Sequence, residues 1–130
     1  MNAGSVDVKE MLEAESALGL VFAINLFVGK EPTSPSDCVT IFDTPGQPPQ
    51  LSLSDQGLEY PSIQIRIRNK DYQAGWDIAN DIKNILHGRG QETWNGTLYT
   101  VIYCASGPAL LDWDDNSRAR FVVNFNIVRR

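Results

Sequence analysis

The sequence predicts an α+β domain: a mostly antiparallel sheet of about four to five strands with two helices packed on one face. Two alternating patterns and one helical stripe carry that prediction. Ile63, Ile65 and Ile67 alternate with Gln64, Arg66 and Arg68, the period-two pattern of a strand with one face in a core. Phe121, Val123, Phe125 and Ile127 repeat the alternation near the end of the chain. Between them, Tyr72, Trp76, Ala79, Ile82 and Leu86 are spaced by four, three, three and four residues, with Ile78 and Ile85 widening the stripe. At 130 residues the chain has the length of one domain, read as residues 1–130 without internal repeat or boundary. A domain of that size buries roughly two-thirds of its unfolded surface and needs neither metal nor disulfide to fold.

Each element follows from local signals. A first helix starts near Ser5 or Asp7, where Asp7 and Glu10 have capping-box spacing, and stops by Gly19. Its apolar stripe, Val8, Met11 and Leu12, is thin, so the helix is expected on a surface or against a partner. Leu20 to Val28 reads as a central strand, apolar on both faces apart from Asn25. Residues 29–36 crowd Gly, Pro and Ser and read as a loop; Val39 to Phe42 is a second strand. Asp43 to Gly57, with Pro45, Pro48 and Pro49, is the longest irregular segment, an exposed arm opened by an Asp-Thr-Pro-Gly turn. The alternating strand Ile63 to Arg68 leads into the helix from Asp71 to about His87, which Gly88 ends. Asn95-Gly96 marks a tight turn before the strand Thr97 to Cys104. Gly107-Pro108 reads as an irregular link, residues 112–116 as an acidic turn, and Arg118 to Arg130 as the closing strand.

Composition narrows function more than any motif does. The net charge of -5 argues against a general nucleic-acid binder, which needs basic surface against phosphate. The apolar run Leu18 to Val28 is broken by Gly19 and Asn25 and is too short to span a bilayer, so no membrane segment or signal peptide is read. Cys38 and Cys104 sit in apolar, strand-like surroundings and are expected as reduced, packed thiols. Catalytic patterns are missing. The single histidine, His87, lies at a helix C-terminus with no nucleophile paired to it by any motif. Asp112, Asp114, Asp115 and Asn116 offer hard oxygens suited to Ca²⁺ or Mg²⁺. They lack the turn glycine and late glutamate of a calcium loop, and a solvated turn is the simpler reading. No phosphate loop follows Gly88-Arg89-Gly90, and Asn95-Gly96-Thr97 serves as a turn rather than a glycosylation site. No cofactor is expected.

The landmarks in order resemble a known family. Leu26 to Pro32, then Asp37 to Gly46, Tyr60-Pro61 opening the Ile63 strand, the Tyr72–Leu86 helix, Ser106-Gly107-Pro108 before the acidic turn, and the closing Arg120 to Arg129 are similar to the tail terminator proteins of long-tailed bacteriophages, also known as tail completion or minor capsid proteins. The resemblance covers nearly everything after the first helix. It implies a virion protein, assembled in the host cytoplasm, that forms a ring, usually of six copies. That ring caps the head-proximal end of the tail tube, stops polymerisation of the tube protein and meets the head-tail connector (stopper), with DNA passing through the lumen unbound. Other head-tail connector proteins share this general look, and a small bacterial regulatory or ligand-binding module is the reading outside the family. The resemblance brings no catalytic residues. Asp43, Thr44 and Gly46 match its recurring turn. With Gln47, Gln50, Gln64, Arg66 and Arg68 they are the expected inter-subunit or tail-tube contacts.

Overall fold

The computed structural model of the chain describes residues 1–49 and 57–130. Its strands are β1 (Leu26–Val28), β2 (Cys38–Gln47), β3 (Tyr60–Asn69), β4 (Glu92–Trp94), β5 (Thr97–Trp113) and β6 (Ala119–Arg129); its helices are α1 (Gly4–Glu13) and α2 (Tyr72–Leu86). The strands join in one six-stranded sheet of order β1-β2-β3-β6-β5-β4. Every neighbouring pair is antiparallel except β1 with β2. The sheet is thus wider than the predicted four to five strands. The additional one is β4, three residues too short to show a period, which the Asn95-Gly96 turn folds onto β5. Both turn residues hold positive φ, 51° and 79°, as a type I′ hairpin requires.

One face of the sheet is the core. The register aligns Ile67 with Phe121, Ile65 with Val123 and Ile63 with Phe125, and continues to Val39 and Ile41 on β2. All of these side chains are essentially inaccessible. Burying each contributes about 1.5–3 kcal/mol relative to exposure. Both helices lie over this face: Gly4 of α1 sits against Ile63 and Ile127, and Gly75 of α2 against Phe121. Tyr72 and Trp76 meet the Phe121 ring edge-on, with centroids 5.0 and 6.1 Å away.

Four local expectations change. First, α1 starts at Gly4 with Ala3 before it, so Ser5 and Asp7 are helical rather than capping. Both are buried because they anchor the helix. The Ser5 hydroxyl and amide donate to the Asp43 carboxylate at 2.5 and 3.0 Å. Asp7 accepts from the Tyr99 hydroxyl, from Asn2 at 3.1 Å and from Asn95 at 2.7 Å. Val8, Met11 and Leu12 are fully buried, so the thin stripe belongs to the core rather than to a surface.

Second, only Leu26–Val28 of the apolar run is strand, and it lies at the sheet's edge instead of its centre. A short 3-10 turn at Ser16–Leu18 and Gly19 in the left-handed region precede it. Asn25 closes the following turn by accepting from the Val21 amide at 2.7 Å and donating to the Gly19 carbonyl at 3.1 Å. Third, the Asp-Thr-Pro-Gly segment is the second half of β2 and not a turn. A bulge between Thr44 and Gln47 absorbs Pro45-Gly46. Gly46 is required there, because a Cβ would lie 2.0 Å from the Tyr60 carbonyl oxygen. Fourth, β5 does not end at Cys104 but continues past Gly107-Pro108, a cis peptide, to Trp113, with register shifts along its length. β2 and β5 are separated by β3 and β6, and Cys38 and Cys104 are both free thiols.

Candidate assembly surface

Among the described residues, the second face of the sheet carries no helix. Register places Thr40, Phe42 and Thr44 of β2, Gln64, Arg66 and Arg68 of β3, and Arg120, Val122, Asn124 and Asn126 of β6 together on it, with Tyr103 and Ser106 of β5 beyond. Alternation in the sequence dictates this. The odd residues of β3 and β6 are the core, so the even ones must face away.

A polar band crosses four strands of this face. The Arg66 guanidinium lies 4.9 Å from the centre of the Phe42 ring, and its Nε donates to Gln64 Oε1 at 2.8 Å. Gln64 Nε2 donates to Asn124 Oδ1 at 3.1 Å, and Asn124 Nδ2 donates to Ser106 Oγ at 2.9 Å. Each amide uses a donor or acceptor on its neighbour, which fixes its orientation. Among the described residues Arg66 commits only its Nε to a hydrogen bond.

At one end of the band the 29–36 loop folds over the face and is clasped by arginines. Arg68 is only 3% exposed. It donates to the carbonyls of Ser36, Thr33 and Pro35 at 3.1, 3.3 and 2.6 Å and pairs with Glu31 at 3.2 Å. Arg120 shares Glu31 at 3.1 Å and holds Asp112 through two bonds of 2.6 Å. Arg118 holds Asp114 at 2.7 Å and reaches the Thr33 carbonyl at 2.8 Å. The Arg120 hydrogen bonds pull the Asp112 carboxyl below its ordinary value. At Asp114 desolvation pushes upward, but hydrogen bonds from the Arg118 backbone and side chain prevail and lower it. The acidic turn is therefore an arginine-paired hairpin end. Among the described residues, no group of three or more His, Cys, Asp and Glu gathers as a metal site.

The expected contact residues divide accordingly. Gln64 and Arg66 touch each other in the band. Thr44 is on the same face; Asp43 points the other way, to Ser5. Gly46 and Gln47 are exposed at the end of β2, and Gln50 lies outside the described residues. Arg68 is held inside its own chain by the clasp. Sequence reasoning missed Arg118, Arg120, Asn124 and Ser106. Alternation along the closing strand places Arg120 and Asn124 on the polar face, but their partners follow only from strand order.

His87 accepts a hydrogen bond at Nδ1 from the Cys104 amide at 2.9 Å, continuing the edge pairing of β5 beyond Ile102. The Cys38 thiol, raised mainly by burial, lines a cavity of about 90 Å³ with Leu18, Leu20, Val39, Arg68 and Ile78. Among the described residues, no helix is long and apolar enough to cross a membrane.

The chain is thus a curled six-stranded sheet backed by two helices on one face, with a hydrogen-bonded polar band on the other. Comparison with known proteins gives the chain its family. The chain matches the family described as bacteriophage tail terminator protein over residues 2–129, and it belongs to that family. It is a structural protein of the phage virion, working with other tail or head proteins. Its fold is similar to that of a chain in a solved structure described as the virion of a native gene transfer agent particle. The TM-score is 0.70 at 10% identity, covering 98% of this chain and 94% of that one. No curated protein sequence matches.

Proposed function

We propose that this subunit closes, as a ring of six copies, the head-proximal end of a phage tail tube, stops addition of tube protein and joins the tail to the head connector. Family membership over residues 2–129 is the observation that carries this reading. The chain's role is structural and needs no catalysis. Its net charge of -5 suits a channel that DNA crosses without sticking.

Within this reading, the polar band and the end of β2 meet the tube protein. Arg66 supplies donors from its terminal nitrogens, Gln64 sets its direction, and Thr44, Gly46 and Gln47 form the lip beside them. Asp43 supports the lip by tying β2 to α1 through Ser5. Arg68 acts only through the loop it clasps. The side chains of the band are already hydrogen-bonded to one another, so docking on it loses little side-chain entropy.

Tube growth tests the proposal. Purified tube protein polymerising in the presence of a small molar fraction of this chain should give shorter tubes, with the chain at one end. Arg66→Glu should weaken this arrest without altering the fold. Replacing residues 48–57 by a short Gly-containing turn should do the same, since Gln47 already pairs with Tyr60 across the strands. Arrest unchanged by both variants overturns the contact assignment; wild-type chain that never limits tube length overturns the function.

A further inference from the structure

Exposed apolar side chains on this subunit are not scattered. Among the described residues, eight of the ten exposed large apolar side chains fall into two groups. One comprises Tyr72, Trp76, Leu110, Leu111 and Trp113; the other comprises Val21, Phe22 and Ile24. Isolated exposed apolar residues are ordinary, but clusters at this density mark contact surfaces.

The sheet sets the two groups opposite one another. Leu26 of β1 pairs with Val39, Val39 with Ile67, Ile67 with Phe121, and Phe121 with Leu110 of β5. At this level the sheet is therefore five strands wide, with β1 and β5 as its two edges. Among the described residues, β4 and the 88–91 segment cover the outer edge of β5 only as far as Ile102. Beyond Cys104, β5 has no outer neighbour among them, and its exposed half carries Leu110, Leu111 and Trp113. Trp113 stacks on Tyr72 of α2 with centroids 6.1 Å apart, which extends the patch onto the helix. At the other edge, the turn before β1 presents Val21, Phe22 and Ile24, with the Lys9 ammonium 4.4 Å from the centre of the Phe22 ring.

Charges around the patches are complementary only in part. Asp71, Asp77 and Asp115 are exposed at the β5 and α2 edge and make no ion pair among the described residues. Lys9 and Lys30 flank the β1 edge, likewise without a carboxylate partner among them. Lys70 on the acidic side carries the opposite sign, as do Glu13, Asp37 beside Leu20 and Asn25, and Asp81 beside Ala17 and Leu18 on the basic side; Glu13 already accepts from the Phe22 amide at 3.1 Å. Backbone pairing between copies is not what the β5 edge offers, because its register shifts and Pro108 interrupt the ladder. Side chains are what it presents.

We infer that the subunit joins a second copy of itself head to tail, the Leu110, Leu111 and Trp113 edge of one copy seating on the Val21, Phe22 and Ile24 corner of the next. Two different patches at opposite edges make a heterologous contact, and repetition of such a contact closes a ring when the rotation allows. This inference rests on the ring reading above and specifies which surfaces form the ring. It leaves the polar band free for the tube.

Two variants and their mixture test it. Trp113→Asp and Ile24→Asp each change an exposed side chain, 51% and 64% accessible, so both should keep the wild-type circular dichroism and melting. Each should weaken self-association on the order of 30-fold or more. Trp113→Phe should retain it. Mixed in equal amounts, the two aspartate variants each keep one intact patch. They should form one-to-one dimers and stop there, as read by native mass spectrometry. If both single variants assemble like the wild type, these edges are not the contact. If one still pairs with itself, the contact is not head to tail. If rings persist but no longer arrest tube growth, the patches serve the tube and the inference fails. A wild-type chain that never self-associates, even on tubes, removes the ring reading together with this one.

Discussion

At Gly75, α2 approaches the sheet so closely that an added Cβ would lie 2.8 Å from the Phe121 ring. Gly75→Ala should therefore destabilise the fold by about 1–3 kcal/mol despite the better helix propensity of alanine. Chemical denaturation measures this, and an unchanged midpoint would show that the helix can lift off without cost. Asp7 poses the opposite case, a buried carboxylate that is satisfied. Asp7→Ala leaves the buried Tyr99 hydroxyl without its acceptor, while Asn95 keeps Glu10 at 2.5 Å, at a cost of about 1–3 kcal/mol. Tyr99→Phe should cost less, because Asn2 and Asn95 still hold the carboxylate. Neither residue announced its role in the sequence. Asp7 has capping-box spacing with Glu10, and only the fold, by bringing Tyr99 and Asn95 from the far end of the chain, converts it from a cap into an anchor.

Elements were legible where a period ran long enough. The alternation of β3 and β6 and the stripe of α2 were readable because each has one apolar and one polar side, and the sheet respects both. The apolar run before β1 misled because apolarity alone does not distinguish a central strand from an exposed apolar corner. Its exposed Val21, Phe22 and Ile24 are the residues that made the segment look buried. Likewise the arm was expected to begin at Asp43, since Pro and Gly usually break strands; here a bulge carries both, and the strand runs on to Gln47.

The end of the β5–β6 hairpin has its own pH dependence. Asp112 and Asp114 titrate below their ordinary values in the folded chain, Asp112 through Arg120 and Asp114 through the Arg118 hydrogen bonds that outweigh its desolvation. Depressed carboxylates stabilise the fold above the unfolded carboxylate value, near pH 4, and that contribution is lost as pH falls through the folded values. Hydrogen exchange should show the 112–120 segment losing protection as pH is lowered below about 4, after correction for intrinsic exchange. Asp112→Asn should lose part of that protection already at neutral pH. Equal protection at all pH values would mean that the arginine pairs are incidental.

On the scale of the whole molecule, composition offers a single histidine and a net charge of -5, and it is the family match over residues 2–129 that makes the chain a virion structural protein. The candidate surface was half legible. Gln64 and Arg66 were visible as the polar side of a strand, but the band they form with Asn124 and Ser106 depends on β6 lying between β3 and β5, which local patterns do not encode. The two edge patches were invisible for the same reason, since Leu26 and Leu110 share a row only after the sheet is assembled.

Electron microscopy of purified tail tubes mixed with this chain tests the central claim most directly. A closed ring of the chain seated on one end of each tube, and not along its length, is the predicted result. A chain that remains monomeric at every concentration and leaves both tube ends bare would contradict the account.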